Sequence, residues 1–327
     1  MRILSILSFV LLFCSGVLAQ RQLDFSGSIG ISNYLGEIGG KEKNRQSFVG
    51  DMKLKSTRYV VGFHMRYRMD PVFGISFNMM YGRIAGADSN STNFGRRYRN
   101  LHFRSPLIEA STQLEFTFFK FKKYGHSYLL TRSKGRTSID VNAYSFIGFG
   151  GVYFNPQANL NGIWYSLQPL GTEGQGVVDG RNKYSRFTMI VPMGLGYHST
   201  INRNLRIGFE LGWRKTFTDY LDDISTTYVD PSLLSKTTAA LANRTAERIA
   251  IDGTDDPNTM DYYDAGDKRG DPKHNDNYFF GVMKVGYAMP AKRRRSSGMG
   301  LGKIFGGKGS RRGYRGRSKF SRPKYRR

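Results

Sequence analysis

Apolar and polar residues alternate strictly in several separate stretches of this chain. Leu23, Phe25, Ile29 and Ile31 are interleaved with Asp24, Ser26, Ser28 and Ser32. Tyr59, Val61, Phe63, Met65 and Tyr67 alternate with Gly62, His64, Arg66 and Arg68, and Phe73 to Tyr81 follows the same rule with Gly74, Ser76 and Asn78 between. Ile108 to Phe118, Ile139 to Phe149, Phe187 to Tyr197 and Leu205 to Trp213 repeat it; Tyr278 to Tyr287 repeats it most weakly. A period of two places one set of side chains on each face of a β-strand. About eight strands are predicted, each near the ~10 residues that a tilted membrane strand needs.

The apolar face carries too many bulky aromatics to fit inside a barrel of eight strands, whose interior is only wide enough for packed side chains. The predicted fold is therefore all-β: an antiparallel transmembrane β-barrel of about eight strands, apolar side outward. Tyr59, Tyr67, Tyr81, Phe118, Tyr197 and Trp213 lie near strand ends, where aromatic girdles belong.

Connection lengths test this independently. Outer-membrane barrels alternate long external loops with short periplasmic turns. Gly36 to Thr57, Ile84 to Arg104, Asn155 to Tyr184 and Leu221 to Asn277 are long; Met69-Asp70-Pro71 and Ile201 to Asn204 are tight. Lys120 to Thr137 is intermediate and spoils perfect alternation. Both termini are expected in the periplasm.

The N-terminus supports export. Met1-Arg2, the apolar run Ile3 to Phe13 and the small-residue site before Gln20 predict a signal peptide over 1–19. The run is too short for a membrane helix. Phe13 argues against lipid attachment at Cys14, and without Cys14, the single cysteine, the mature chain has no disulfide or thiolate metal site. The expected organisation is signal peptide 1–19, barrel 20–289 and basic tail 290–327.

Charge changes the picture in three places. Asp24, Arg66, Glu109, Glu115, Asp140, Arg186, Glu210, Arg214 and Lys284 have inward parity, and their mixed signs predict an ion-pair network filling the lumen. The competing reading is a catalytic group with His64, or His198-Ser199, as base and nucleophile; no spacing in the sequence fixes a Ser-His-acid geometry. The seventh connection is acidic from Asp219 to Asp276. Its carboxylates are expected to be solvated, with calcium as the alternative over 221–277, although no Asp-x-Asp-x-Asp-Gly loop is present. Within it, Pro231 to Ile251 is expected to form a short helix capped by Ser232.

The tail is the sharpest break, since 290–327 contains no Asp or Glu while the chain carries a net charge of +25. Lys292, Arg293, Arg294 and Arg295 form a basic run, then Arg311, Arg312, Arg315, Arg317, Lys319, Arg322, Lys324, Arg326 and Arg327 interleave with Tyr314, Phe320 and Tyr325. So few apolar residues predict disorder in isolation. Composition alone reads as a nucleic-acid tail, but export removes nucleic acid as a partner. An anionic protein, lipid headgroup or wall polymer remains, and these thirteen cations are the candidate partner-binding residues. Lys120, Lys122, Lys123, Arg132, Lys134 and Arg136 add positive charge on the same predicted side. No catalytic, cofactor-binding or metal site is predicted.

Three segments carry a family resemblance. Asn33-Tyr34-Leu35-Gly36-Glu37-Ile38-Gly39 resembles the end of the first strand in PorG-type outer-membrane proteins of Bacteroidetes, and Ser56-Thr57-Arg58-Tyr59-Val60-Val61-Gly62 is similar to the entry of their second. Arg99-Asn100-Leu101-His102-Phe103-Arg104-Ser105-Pro106-Leu107-Ile108-Glu109, preceded by Tyr81-Gly82-Arg83, resembles their R-N-L-x-F-R-S-P-I-x-E signature. The resemblance implies a non-enzymatic component of the type IX secretion system, which exports gliding adhesins and virulence proteins. It also implies periplasmic ring partners, a PorK-type lipoprotein and a PorN-type protein, beside outer-membrane lipid. Two further readings stay open: a free-standing envelope-stabilising or adhesin-type barrel, and a lipid-modifying barrel enzyme, which needs an outward-facing Ser-His pair near the outer leaflet.

Overall fold

The structure, a computed structural model, describes residues 23–38, 54–91, 93–126, 136–201, 204–252 and 263–289, all within the unit Met1–Ala291. The expected signal peptide over 1–19, the tail cations from Lys292 to Arg327, and Arg132 and Lys134 lie outside the described residues.

Ten strands make one antiparallel sheet. They are β1 (Leu23–Leu35), β2 (Arg58–Arg68), β3 (Phe73–Ala87), β4 (His102–His126), β5 (Arg136–Phe154), β6 (Gln157–Leu160), β7 (Ile163–Ser166), β8 (Phe187–Ile201), β9 (Leu205–Thr216) and β10 (Asn277–Ala288). Strands β6 and β7 form a hairpin held to β4 through Arg104 and Gln157. The other eight close into a barrel, because β1 pairs with both β2 and β10 and β3 pairs with β4. Closure leaves no unpaired edge, the condition for spanning lipid with strands.

All eight predicted strands are present, several longer than their apolar alternation. β3 and β4 run past it to Ala87 and back from His102, so the third connection is only 88–101 and carries α1 (Phe94–Arg99). The fourth connection is intermediate because β4 and β5 continue as a paired ribbon, Lys120 opposite Asn142 out to His126 opposite Arg136, while β3 pairs no further along β4 than Phe116. A β-bulge between Thr117 and Phe119 marks the departure, leaving Phe118 and Phe119 both exposed.

The polarity of the wall is apolar-out. Along β3 exposed and buried residues alternate for ten positions from Phe73. Phe149 is 67% exposed and Ile29 65%, whereas inward Glu109 is 1% exposed. Water tolerates no continuous apolar surface of this kind on a monomer; lipid requires it. The chain is thus an outer-membrane-type β-barrel. No helix among the described residues is long and apolar enough to cross a membrane.

The two ends differ. At the terminal end, β1 starts, β10 stops and the β2–β3 and β8–β9 connections are short. Asp70 Oδ1 accepts hydrogen bonds from the Val72 and Phe73 backbone N–H at 2.6 and 2.7 Å, which with Pro71 fixes the β2–β3 turn. At the loop end, the long connections pack into a cap with its own apolar core. Leu221 and Ile224 join barrel residues Ile84, Leu107, Phe154 and Tyr278 in one buried cluster. Tyr184 stacks between Phe154 (6.4 Å) and Tyr220 (4.4 Å), pinning cap to wall. The short helices α2 (Leu167–Leu170), α3 (Lys236–Ala242) and α4 (Thr245–Asp252) belong to these connections. The helical stretch expected over Pro231 to Ile251 is present in pieces. Its cap is Ser235, whose side chain accepts from Thr238 N, and Asp230 caps the preceding 3₁₀ turn through Ser232 N; Ser232 is not the cap.

Candidate functional site

The lumen is filled by ion pairs in tiers. Nearest the loop end, Arg214 Nε donates to Glu109 at 3.4 Å, its guanidinium lies 4.5 Å from the Phe280 ring centroid, and Tyr278 donates to the same carboxylate at 2.7 Å. Midway, Lys284 Nζ donates to Glu210 at 2.5 Å and Tyr144 does so at 2.9 Å. Nearest the terminal end, Arg66 pairs with Glu115 at 2.5 Å and Arg206 pairs with Asp24. Each of these buried lumenal charges thus has an opposite partner, which is what offsets its desolvation. At the terminal mouth of the lumen a cavity of about 30 Å³ lies beside Arg66, His198 and Arg206, room for one or two waters.

Seven of the nine charges read from parity fall in this network. Asp140 is half-buried and receives Asn142 Nδ2 at 3.3 Å. Arg186 is a correction. It precedes β8, and its guanidinium lies 5.6 Å from the ring of outward Tyr153. Arg206 is the lumen cation that parity marked but the charge reading omitted.

His64 sits between three strands: Nδ1 is 2.6 Å from Asn78 Oδ1 and Nε2 is 2.7 Å from Ser28 Oγ. This is a hydroxyl-imidazole-amide chain in the lumen, with the neighbouring backbone N–H groups engaged in the barrel ladder. It has no carboxylate member. His198 also points inward, with Arg66 Nη1 3.1 Å from its Nε2. Neither histidine faces lipid, as a lipid-modifying site near the outer leaflet requires.

The cap overturns the expectation for part of the acidic connection, while Asp230, Glu247 and Asp264 are exposed as expected. Asp219, Asp222, Asp223 and Asp276 are buried, not solvated. Partners of Asp222, Asp223 and Asp276 come from distant segments, which is why no local pattern revealed them. The hub is Glu173, fully buried, which accepts from Ser225 N (2.9 Å), Thr226 Oγ1 (2.7 Å) and Arg269 Nη1 (2.9 Å). Arg269 also donates to the Asp223 carbonyl at 2.6 Å. Asp223 accepts from Tyr184 at 2.6 Å and from Thr172, and burial pushes its carboxyl up to about 6 despite the Arg269 charge. Burial likewise raises Asp222 to about 7. One sequence signal was available for the hub: Glu173 lies among Gly171, Gly174 and Gly176, all at positive φ. Such spacing marks a loop wound tightly around the side chain between. Among the described residues, no three acidic, His or Cys side chains converge to hold a metal ion.

The signature segment joins barrel to cap. Arg99 donates to Asp88 from Nε (2.7 Å) and Nη2 (3.1 Å), and from Nη1 to the Arg269 carbonyl (2.8 Å). Asn100 turns the chain at φ 55°, Leu101 and Phe103 are buried, and Glu109 enters the lumen.

The model of a family described as a domain of unknown function (DUF6089) matches residues 4–146, a span that ends inside β5. No curated protein matches the chain. Among solved structures, the chain is similar to Ail, the attachment invasion locus protein of Yersinia pestis, in complex with the heparin analogue sucrose octasulfate, at 9% identity and a TM-score of 0.34, covering 83% of this chain and 99% of that one. A second crystal structure of Ail gives 8% identity and a TM-score of 0.32, with coverage of 83% and 99%.

Proposed function

We propose that this barrel is a non-enzymatic anchor of the type IX protein secretion machinery, holding the periplasmic ring to the outer membrane. The observation that carries the reading is the division of the barrel into a plugged interior and two unlike ends. A lumen packed with ion pairs passes no substrate, so the protein acts through its surfaces. The resemblance of the Arg99 to Glu109 segment to PorG-type barrels supports this choice of machine. In this reading the terminal end faces the periplasm. The β4–β5 ribbon, whose sequence includes Lys120, Lys122 and Lys123, and, separately, the basic sequence from Lys292 to Arg327 are the candidate docking elements for a PorK-type lipoprotein or PorN-type ring protein.

The test is an affinity pull-down from mild-detergent membranes with the full chain and with a chain ending at Pro290. Ring proteins recovered by the full chain and lost on truncation support both anchor and dock. Ring proteins retained after truncation keep the anchor and move docking to the barrel or the β4–β5 ribbon. A folded full-length protein that recovers no secretion component sinks the anchor reading and favours a free-standing envelope barrel.

A further inference from the structure

Outside the wall at the loop end, a cleft of about 390 Å³ opens between the β3–β4 surface and the β6–β7 hairpin. Lys55, Arg58, Arg83 and Arg104 line it together with Trp164, and among the described residues no carboxylate does. We propose that this cleft binds the phosphate of a lipid headgroup at the membrane surface on the loop side.

Three observations converge. First, the cations are held but not neutralised. Arg104 lies flat on Trp164, 3.6 Å from the ring centroid, and donates Nε to Gln157 at 3.1 Å. Arg58 donates to the Lys55 and Thr57 carbonyls at 3.1 and 2.7 Å. Arg83 reaches only the face of Tyr59, at 5.9 Å, and its buried Nε has no hydrogen-bond partner among the described residues. In the lumen of the same protein each buried arginine meets a carboxylate; here, among the described residues, none does. Second, the register sets two of them side by side. Arg83 is opposite Pro106 and Ala85 is opposite Arg104, so the two guanidiniums are diagonal neighbours on one face. Like charges so placed repel unless an anion lies between them, and guanidinium forks match phosphate oxygens in pairs. Third, the height is that of headgroups. Arg83 follows outward Tyr81 by two residues on β3, roughly 7 Å along the strand, immediately beyond the exposed Tyr59, Tyr81 and Ile108 of the belt. A soluble anion needs no such position; a lipid phosphate has no other.

Trp164 supplies the reporter, because the chain has only two tryptophans and Trp213→Phe leaves it alone. The Trp213→Phe protein is placed in phosphatidylcholine nanodiscs with and without phosphatidic acid, a lipid phosphate monoester. The expected result is a saturable change in Trp164 emission with phosphatidic acid. Arg83→Gln and Arg104→Gln each weaken it roughly tenfold, as loss of one charge-assisted contact does; Arg104→Lys weakens it less. Heat-modifiable gel migration shows that each variant still holds its barrel. An emission change equally strong with inorganic phosphate in plain nanodiscs assigns the cleft to free phosphate and overturns the lipid reading. No change on adding phosphatidic acid, or an unaltered change in the folded double variant, overturns the site itself.

Discussion

The hydroxyl oxygen of Tyr34, at the loop end of β1, lies 2.6 Å from Asp222, 188 residues later in the chain. It is also 2.7 Å from Asp276 and accepts the Glu37 backbone N–H at 3.1 Å. One hydroxyl has one hydrogen, so it cannot donate to two carboxylates. The arrangement closes if Tyr34 donates to Asp276 and accepts from a protonated Asp222. Burial raises Asp222 to about 7, opposed first by the Tyr34 hydrogen bond and helped by Glu37, which favours keeping the proton on Asp222 near neutral pH.

The cap should therefore loosen as pH rises. A carboxyl raised in the folded state stabilises it fully below the unfolded value of 3.8, and that contribution is lost as pH climbs through about 6 for Asp223 and about 7 for Asp222. Asp230 and Asp271 are shifted down and act only below that window. Hydrogen exchange over 217–235, corrected for intrinsic rate, should show faster opening at about pH 8 than at about pH 5. Asp222→Asn should remove the upper part of the dependence, because an amide donates to Tyr34 at any pH. Equal protection at both pH values in the unaltered protein would count against the shared proton.

Arg269 should hold the cap without holding the barrel. Replacing it by Met leaves Glu173 and Asp223 buried with no cation, a cost of about 3–5 kcal/mol. The barrel ladder contains neither residue. Limited proteolysis should cut Arg269→Met within the cap while gel migration still reports a closed barrel. Uncut loops, or loss of the barrel together with the cap, would refute this division.

How much of this was legible beforehand follows from which interactions are local. Alternation is local, so all eight strands and the outward face were readable, as was the lumenal pairing of charges such as Arg66 and Glu115. The tight β2–β3 turn was readable from Asp70 and Pro71. The cap was not: Glu173, Asp223 and Arg269 meet from three separate connections, and a stretch rich in Asp reads as solvated until its partners are known. Arg186 was misassigned because parity holds only inside a strand, and β8 begins one residue later. The cationic cleft escaped notice because Arg83 and Arg104 sit at strand ends where the alternation read as loop.

In the upper lumen, the Glu109 carboxylate answers both Arg214 and Tyr278. Glu109→Ala should destabilise the barrel by about 3–5 kcal/mol, since it leaves a fully buried guanidinium unpaired. Glu109→Gln combined with Arg214→Met should cost less, because the amide still accepts from Tyr278 and no charge is stranded. Urea unfolding in lipid vesicles ranks the two. Reversal of that order would mean Arg214 is held mainly by the Gly212 carbonyl and the Phe280 ring.

Packing of the same lumen predicts where it tolerates no added atom. A Cβ at Gly196 would collide with the ring of Tyr144, whose hydroxyl donates to Glu210 at 2.9 Å. The ring cannot withdraw, since it is wedged near Phe146 and His198. Gly196→Ala should therefore cost about 1–3 kcal/mol from overpacking, with more added if the Glu210 contact breaks. Gly27→Ala is the control: its Cβ meets only the Gly62 carbonyl, at 4.0 Å, and should change stability little. If the fault is the clash with Tyr144, then Tyr144→Leu should restore part of the loss in the Gly196→Ala background. A double variant no better than the sum of its parts would place the fault in the backbone instead.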